Sequence, residues 1–143
     1  MINQISVFLE NSKGRLSQMT RVLADAGVDL LALSIADTTN FGILRTIVSD
    51  DELAVKVLKE HGYTVSVNRV LVVVVPDHSG GLSHVLDILN DGDVGIEYLY
   101  SFVSKRNQKA LIVFKVNDKD LAVKVLEANK VSLLDMKSLL ESL

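Results

Sequence analysis

The sequence predicts an α+β protein made of two ferredoxin-like βαββαβ units, and three observations predict it. The hexapeptide Leu-Ala-Val-Lys-Val-Leu occurs at residues 53–58 and again at 121–126, an offset of 68. A Gly-x-Leu turn follows an apolar run at Gly14-Arg15-Leu16 and again at Gly80-Gly81-Leu82, an offset of 66. Around these anchors each copy reads as strand, helix, strand, strand, helix, strand. That split order lays two helices on one face of a four-stranded antiparallel sheet. The expected domains are residues 1–68 and 69–143.

In the first copy, residues 5–9 are apolar with high β content and form a strand. The Asn11-Ser12-Lys13-Gly14 loop turns the chain into a helix carrying Leu16, Met19, Val22, Leu23 and Ala26 at the helical period, and Gly27 supplies its stop. Residues 29–38 and 43–49 form a hairpin around Asn40-Phe41-Gly42. Asp50 and Asp51 then place acidic groups where the macrodipole of a second helix favours them, and that helix buries Leu53, Ala54, Val57 and Leu58. Residues 63–67 make the fourth strand.

The second copy repeats this order, with strands at 70–75, 94–104, 110–117 and near 131–133, and helices at 82–90 and 121–128. A polar–apolar pattern over 132–143 leaves room for a short C-terminal helix. The growth of the offset from 66 to 68 places two inserted residues in the Lys105-Arg106-Asn107-Gln108-Lys109 turn.

Several strands do not alternate as a sheet with one wet face would: residues 70–75 and 111–114 are apolar throughout. A second covering layer is implied. No spare segment supplies it, so a homodimer with packed sheet faces is expected. At the offset of 66, Ala32, Ser34 and Ala36 align with Tyr98, Tyr100 and Phe102, either as unequal cores or as one open and one filled pocket.

Composition excludes several function classes. With 143 residues, 48% hydrophobic, 23% charged and no cysteine, the chain reads as globular, without disulfides, a thiol nucleophile or cysteine-ligated metal. A net charge of −3 without a Lys/Arg block argues against nucleic acid. The longest apolar run is far shorter than the roughly 20 residues of a membrane helix, and no signal-peptide pattern opens the chain. A cytoplasmic protein is expected.

The candidate chemistry lies where the first strand of each copy meets its helix. There a glycine permits close backbone approach, and N–H groups at a helix start attract an anion such as a carboxylate. Asn11 and Asp77 hold equivalent places, and each could accept a hydrogen bond from a ligand ammonium. The same residues also read as turn-forming Asn and Asp beside a turn glycine. His78 and His84 lack a metal-ligand spacing, and Lys13-Gly14-Arg15 lacks the ending of a phosphate-binding P-loop. Arg45 either grips a carboxylate or pairs across the hairpin with Asp37.

Both copies resemble the ACT domain, the small-molecule-sensing module of amino-acid metabolism. The residues that carry the resemblance are Asn11-x-x-Gly14-x-Leu16 with Gly27-Val28-Asp29-Leu30, and Asp77-x-x-Gly80-x-Leu82 with Val94-Gly95-Ile96. Phe8-Leu9-Glu10-Asn11, Phe41-Gly42-Ile43-Leu44-Arg45 and the stretch from Ile96 to Phe102 look like small stand-alone tandem ACT proteins of bacteria. The resemblance implies two ACT units side by side in one antiparallel eight-stranded sheet with helices on one face, and amino acids bound at the joint. Carried over, it sets Asn11, Lys13, Gly14, Arg15 and Leu16 against the strand containing Gly95, and Asp77, Ser79, Gly80, Gly81 and Leu82 against Asp29. The family's Asn in the Gly-Val-Asn-Ile segment is Asp29 here and Gly95 in the second copy, so one competent and one degenerate site are expected.

The function implied is a non-catalytic, amino-acid-binding regulatory protein that needs no cofactor and no metal. One alternative is a regulatory subunit acting in trans on an enzyme of amino-acid metabolism, such as an acetolactate-synthase-like one. An alternative of another class is a small ferredoxin-like enzyme using the Asp77-His78-Ser79 loop.

Overall fold

The computed structural model describes residues 1–37, 40–103 and 109–143. The expected strand ends at Thr38 and Ser104, and the insertion at Lys105-Arg106-Asn107-Gln108, lie outside the described residues. Along the chain come β1 (Ile2–Glu10), α1 (Arg15–Asp25), β2 (Leu30–Asp37), β3 (Phe41–Val48), α2 (Asp51–Glu60) and β4 (Thr64–Pro76). They are followed by α3 (Gly81–Asp91), β5 (Ile96–Ser101), β6 (Lys109–Val116), α4 (Lys119–Ala128), β7 (Leu133–Leu134) and α5 (Met136–Ser142).

The chain divides into two compact units, Asn3–Asn68 and Arg69–Leu143, the latter joined by Met1–Ile2. In the first, the strand order is β2-β3-β1-β4, with β1 and β2 antiparallel to β3. In the second it is β5-β6-β4-β7, also antiparallel. The eight strands expected are seven among the described residues, because 64–67 of the expected fourth strand and all of 70–75 are parts of β4, which runs unbroken for 13 residues. No Gly or Pro interrupts Thr64 to Val75, so nothing turns the chain between them.

The duplication is legible in individual hydrogen bonds. Asp50 caps α2 by accepting from the N–H of Leu53 at 3.1 Å, and Asp118 caps α4 by accepting from that of Leu121 at 3.0 Å. The helix ends repeat as well: Val28 donates to Leu23 O and Val94 to Leu89 O, both at 2.9 Å. Gly27 stops α1 in the left-handed region with φ 76°, and Gly62 follows α2 with φ 83°. The second copy places Asp93 (φ 62°) and Lys130 (φ 60°) at these two positions.

Each unit has its own helix-side core. In the first, Met19 and Leu23 of α1 meet Ala54 and Leu58 of α2 over Ile5, Val7, Leu44 and Val48. Burying a side chain of this size contributes about 1.5–3 kcal/mol. Leu16, which shares the apolar period, turns outward instead and is 41% exposed. In the second unit, Val85, Leu89, Ala122 and Leu126 cover Leu71, Val73, Ile112 and Phe114.

Both faces of the central strands are buried within one chain. Val70 and Val72 are as buried as Leu71 and Val73, and Leu111 and Val113 are buried beside Ile112 and Phe114. The apolar strands therefore give no ground for a second copy. The C-terminal pattern forms α5, whose Leu139 is fully buried and whose N-cap, Asp135, accepts from the N–H of Ser138 at 2.8 Å.

Candidate functional site

The β1–α1 and β4–α3 loops are built alike. Ser12 N–H donates to Glu10 O, Arg15 N–H to Ser12 O, and Gln18 N–H to Gly14 O. Sixty-six residues later His78 donates to Pro76, Gly81 to His78 and His84 to Gly80. Each loop ends on a left-handed glycine at the N-cap, Gly14 with φ 88° and Gly80 with φ 86°. A side chain there would be strained.

These two helix starts differ from the other three. Asp50, Asp118 and Asp135 each cap their helix through a carboxylate, whereas Gly14 and Gly80 contribute no side-chain cap and neither first turn holds an acidic residue. The positive end of the helix dipole at α1 and α3 therefore meets no protein carboxylate of its own first turn. An external anion is favoured at such a helix end.

The strand after each of these helices repeats a further detail. Asp29 N–H donates to Ser49 Oγ at 2.9 Å while Ser49 N–H donates back to Asp29 O at 3.0 Å. Gly95 and Asn117 make the same pair of bonds, at 2.9 and 3.0 Å. Just beyond, a register shift between Leu30 and Ala32, and between Ile96 and Tyr98, breaks the alternation along β2 and β5. The alternation of β2 is therefore interrupted at its start.

Clefts surround the start of α1. One of about 610 Å³ is lined by Gly14, Leu16, Ser17 and Thr20 on the helix side and by Leu30 and Leu33 of β2. A second, of about 450 Å³, shares Ser17, Thr20 and Leu30 and adds Asp29. A third, of about 190 Å³, brings Asn11, Arg15 and Leu16 together with Ile35 and Asp37. Ser17 and Thr20 were missed by the sequence reading. Their signal was present, as two hydroxyl residues three apart and one turn beyond the glycine share a helix face.

Other site residues have additional roles. Lys13, Asp77 and Ser79 are exposed on their loops, and Leu82 is half-buried. Gly81 is buried, and a Cβ on it would lie 2.0 Å from Pro76 O, so close approach of backbone to backbone requires it. Arg15, its counterpart in the first copy, sets its guanidinium 4.9 Å from the centre of the Tyr63 ring. Tyr100 and Phe102 are buried but belong to neither helix-side cluster, and Tyr98 stacks on Tyr100 at 6.5 Å between ring centres.

The pairing considered for Arg45 with Asp37 does not form directly across the strands. In register, Arg45 lies opposite Ser34 and Asp37 opposite Gly42. His78 directs Nδ1 to Ser79 O at 2.9 Å, a bond to backbone. Among the described residues, no three His, Asp or Glu side chains gather as a metal ion would need, and no helix is long and apolar enough to cross a membrane.

The comparisons agree with this architecture. The family model described as an ACT domain pair matches residues 1–143. Protein BT0572 from Bacteroides thetaiotaomicron is similar at 40% identity and TM-score 0.91, over 96% of this chain and 94% of that one. The ligand-free regulatory subunit of aspartate kinase from Thermus thermophilus shares the fold at 13% identity and TM-score 0.64, over 88% and 91% of the two chains. A structure of aspartokinase alpha and beta subunits does so at 18% identity and TM-score 0.58, over 88% and 90%. No curated protein matches the sequence. With the family model spanning every residue, the chain belongs to the ACT domain pair family.

Proposed function

We propose that this chain is a non-catalytic regulatory protein that binds a free amino acid at its strand–helix loops. The observation that carries the reading is the matched pair of helix starts at Gly14 and Gly80, left without a carboxylate cap while α2, α4 and α5 all have one. The ligand carboxylate sits at the helix start. Its ammonium meets Asn11 in the first loop or Asp77 in the second, and Asp77 adds charge to the contact.

The two loops are proposed to differ in competence. Lys13 and Arg15 add positive charge to the first, while the second holds Asp77 and the sterically required Gly81. Bound ligand orders a loop and shifts the population of the form that a partner recognises. The proposed partner is an enzyme of amino-acid metabolism regulated in trans. The proposed homodimer uses the edge strands β2 and β5, since Leu33 and Ile35 project from β2 about two-fifths exposed.

Calorimetric titration with single amino acids tests the reading on the wild type, Gly14→Val and Gly80→Val. The reading expects one strong site per chain, abolished by one of the two substitutions. Heat unaffected by both, or no heat with any amino acid at millimolar concentration, contradicts it. The enzyme alternative gains no support from the geometry, because His78 is bonded to backbone and not to the Ser79 hydroxyl.

A further inference from the structure

The first unit carries another cleft, on the far side of the β1–α1 loop from β2. It holds about 330 Å³ and is walled by Phe8 and Glu10 at the end of β1, Arg15 at the start of α1, Phe41 at the start of β3, and Tyr63 after α2. The duplication reproduces it. A cleft of about 240 Å³ in the second unit is lined by Val74, Pro76, Lys109 and Val131, the counterparts of Phe8, Glu10, Phe41 and Tyr63.

The cavity is thus a product of the fold, and its chemistry is a product of divergence. Three aromatic rings in the first copy are replaced by two valines and a lysine in the second. Phe8 and Phe41 pack at 6.3 Å between ring centres yet stay 42% and 44% exposed, an unusual concentration of exposed aromatic surface in a chain with only seven aromatic residues. Arg15, beside them on the Tyr63 ring, keeps its Nε buried without a hydrogen-bond partner. A shielded, unpaired N–H of a cation is costly, and an anion beside the same guanidinium offsets that cost through charge without reaching Nε itself.

We propose that this cleft binds a small aromatic carboxylate, with the ring against Phe8, Phe41 and Tyr63 and the carboxylate on the Arg15 guanidinium. The volume suits one ring with a short acidic arm. Glu10 on the rim disfavours a second negative charge and welcomes an ammonium, so aryl acids and aromatic amino acids share the required chemistry. The second cleft lacks the aromatic wall, so the stoichiometry is one per chain. The site does not depend on the loop-binding reading above.

The test is titration with phenylacetate, L-phenylalanine, acetate and benzyl alcohol, followed by calorimetry and by the Arg15 Nε–H resonance. Phenylacetate or phenylalanine should saturate one site and move that resonance. Acetate and benzyl alcohol, each lacking half of the required chemistry, should bind at least tenfold more weakly. Phe41→Ala, at an exposed position that leaves the core intact, should weaken phenylacetate binding at least tenfold, with Phe8→Ala as the second variant. Preference of phenylalanine over phenylacetate places an ammonium at Glu10. No saturable binding, or acetate binding as well as phenylacetate, overturns the proposal. So does binding untouched by Phe41→Ala and Phe8→Ala; amino-acid heat lost only on Gly14→Val or Gly80→Val then belongs to the loops alone.

Discussion

Gly81 packs against Pro76 so closely that a Cβ on Gly81 would lie 2.0 Å from the Pro76 carbonyl oxygen. That oxygen is also an acceptor, taking the N–H of His78 at 3.0 Å. It cannot give way without undoing the loop. Gly81→Ala should therefore destabilise the protein by about 2–3 kcal/mol, at the high end of overpacking costs. Urea unfolding measures it, and a change below 0.5 kcal/mol, within the ordinary range of surface substitutions, contradicts this geometry.

The twin caps of α2 and α4 should fail alike. Asp50→Ala and Asp118→Ala each remove the acceptor for the N–H three residues on, and each should cost about 1 kcal/mol. Because the two caps share no hydrogen-bond partner, the double substitution should cost the sum. Chemical denaturation of the three variants decides this.

Left-handed positions give the opposite sign. Lys130 with φ 60° stands where the first copy has Gly62 with φ 83°, and Lys130→Gly should stabilise by about 1 kcal/mol, since a side chain there crowds the backbone. Asp93→Gly, where the first copy has Gly27, should gain less because aspartate tolerates that conformation better. Gly62→Lys should lose stability. Melting temperatures of the three variants in one buffer test the order.

At α5 a pH dependence is expected. The Asp135 carboxyl is held below the usual carboxylate range, first by the backbone N–H of Ser138 and then by the Ser138 side chain. A lowered folded-state value means the cap contributes in full above about pH 4, the unfolded value, and is lost as pH falls through the folded value. Amide exchange at Leu139 should accelerate, relative to intrinsic rates, over that acid range in the wild type. In Asp135→Asn that acid response should vanish, and an unchanged response contradicts the assignment.

Much of the fold was legible because it was written twice. The shared hexapeptide and the two Gly-x-Leu turns set the register, and the same register recurs in the Ser12–Glu10 and His78–Pro76 bonds. Gly27 read correctly as a helix stop because φ near 76° is glycine territory. The fusion of two expected strands into β4 escaped because the Asn68–Arg69 step has no conformational signature in either direction. That both faces of β4 and β6 are covered was legible in their unbroken apolar runs; that one chain supplies the cover was not, because burial is a property of tertiary packing, which a local pattern does not carry.

The candidate site was legible in its loops and not in its surroundings. Gly14 and Gly80 announce the helix starts, but the bulge beyond Leu30 shifts the alternation of β2 and decides which leucines reach the cleft. Arg15 was assigned to the loop site by resemblance alone. Its contact with Tyr63, 48 residues away, leaves no local trace.

Amino-acid binding by these glycine-capped loops is read from the melting temperature with each of the twenty amino acids at millimolar concentration. Binding to the folded state alone stabilises by RT ln(1 + [L]/Kd), about 2.7 kcal/mol when the ligand is at a hundred times Kd. Loop binding should give a selective rise for one amino acid or a few related ones, persisting in Phe41→Ala and lost in Gly14→Val or Gly80→Val. A flat response to all twenty, or a rise indifferent to both glycine substitutions, would contradict it.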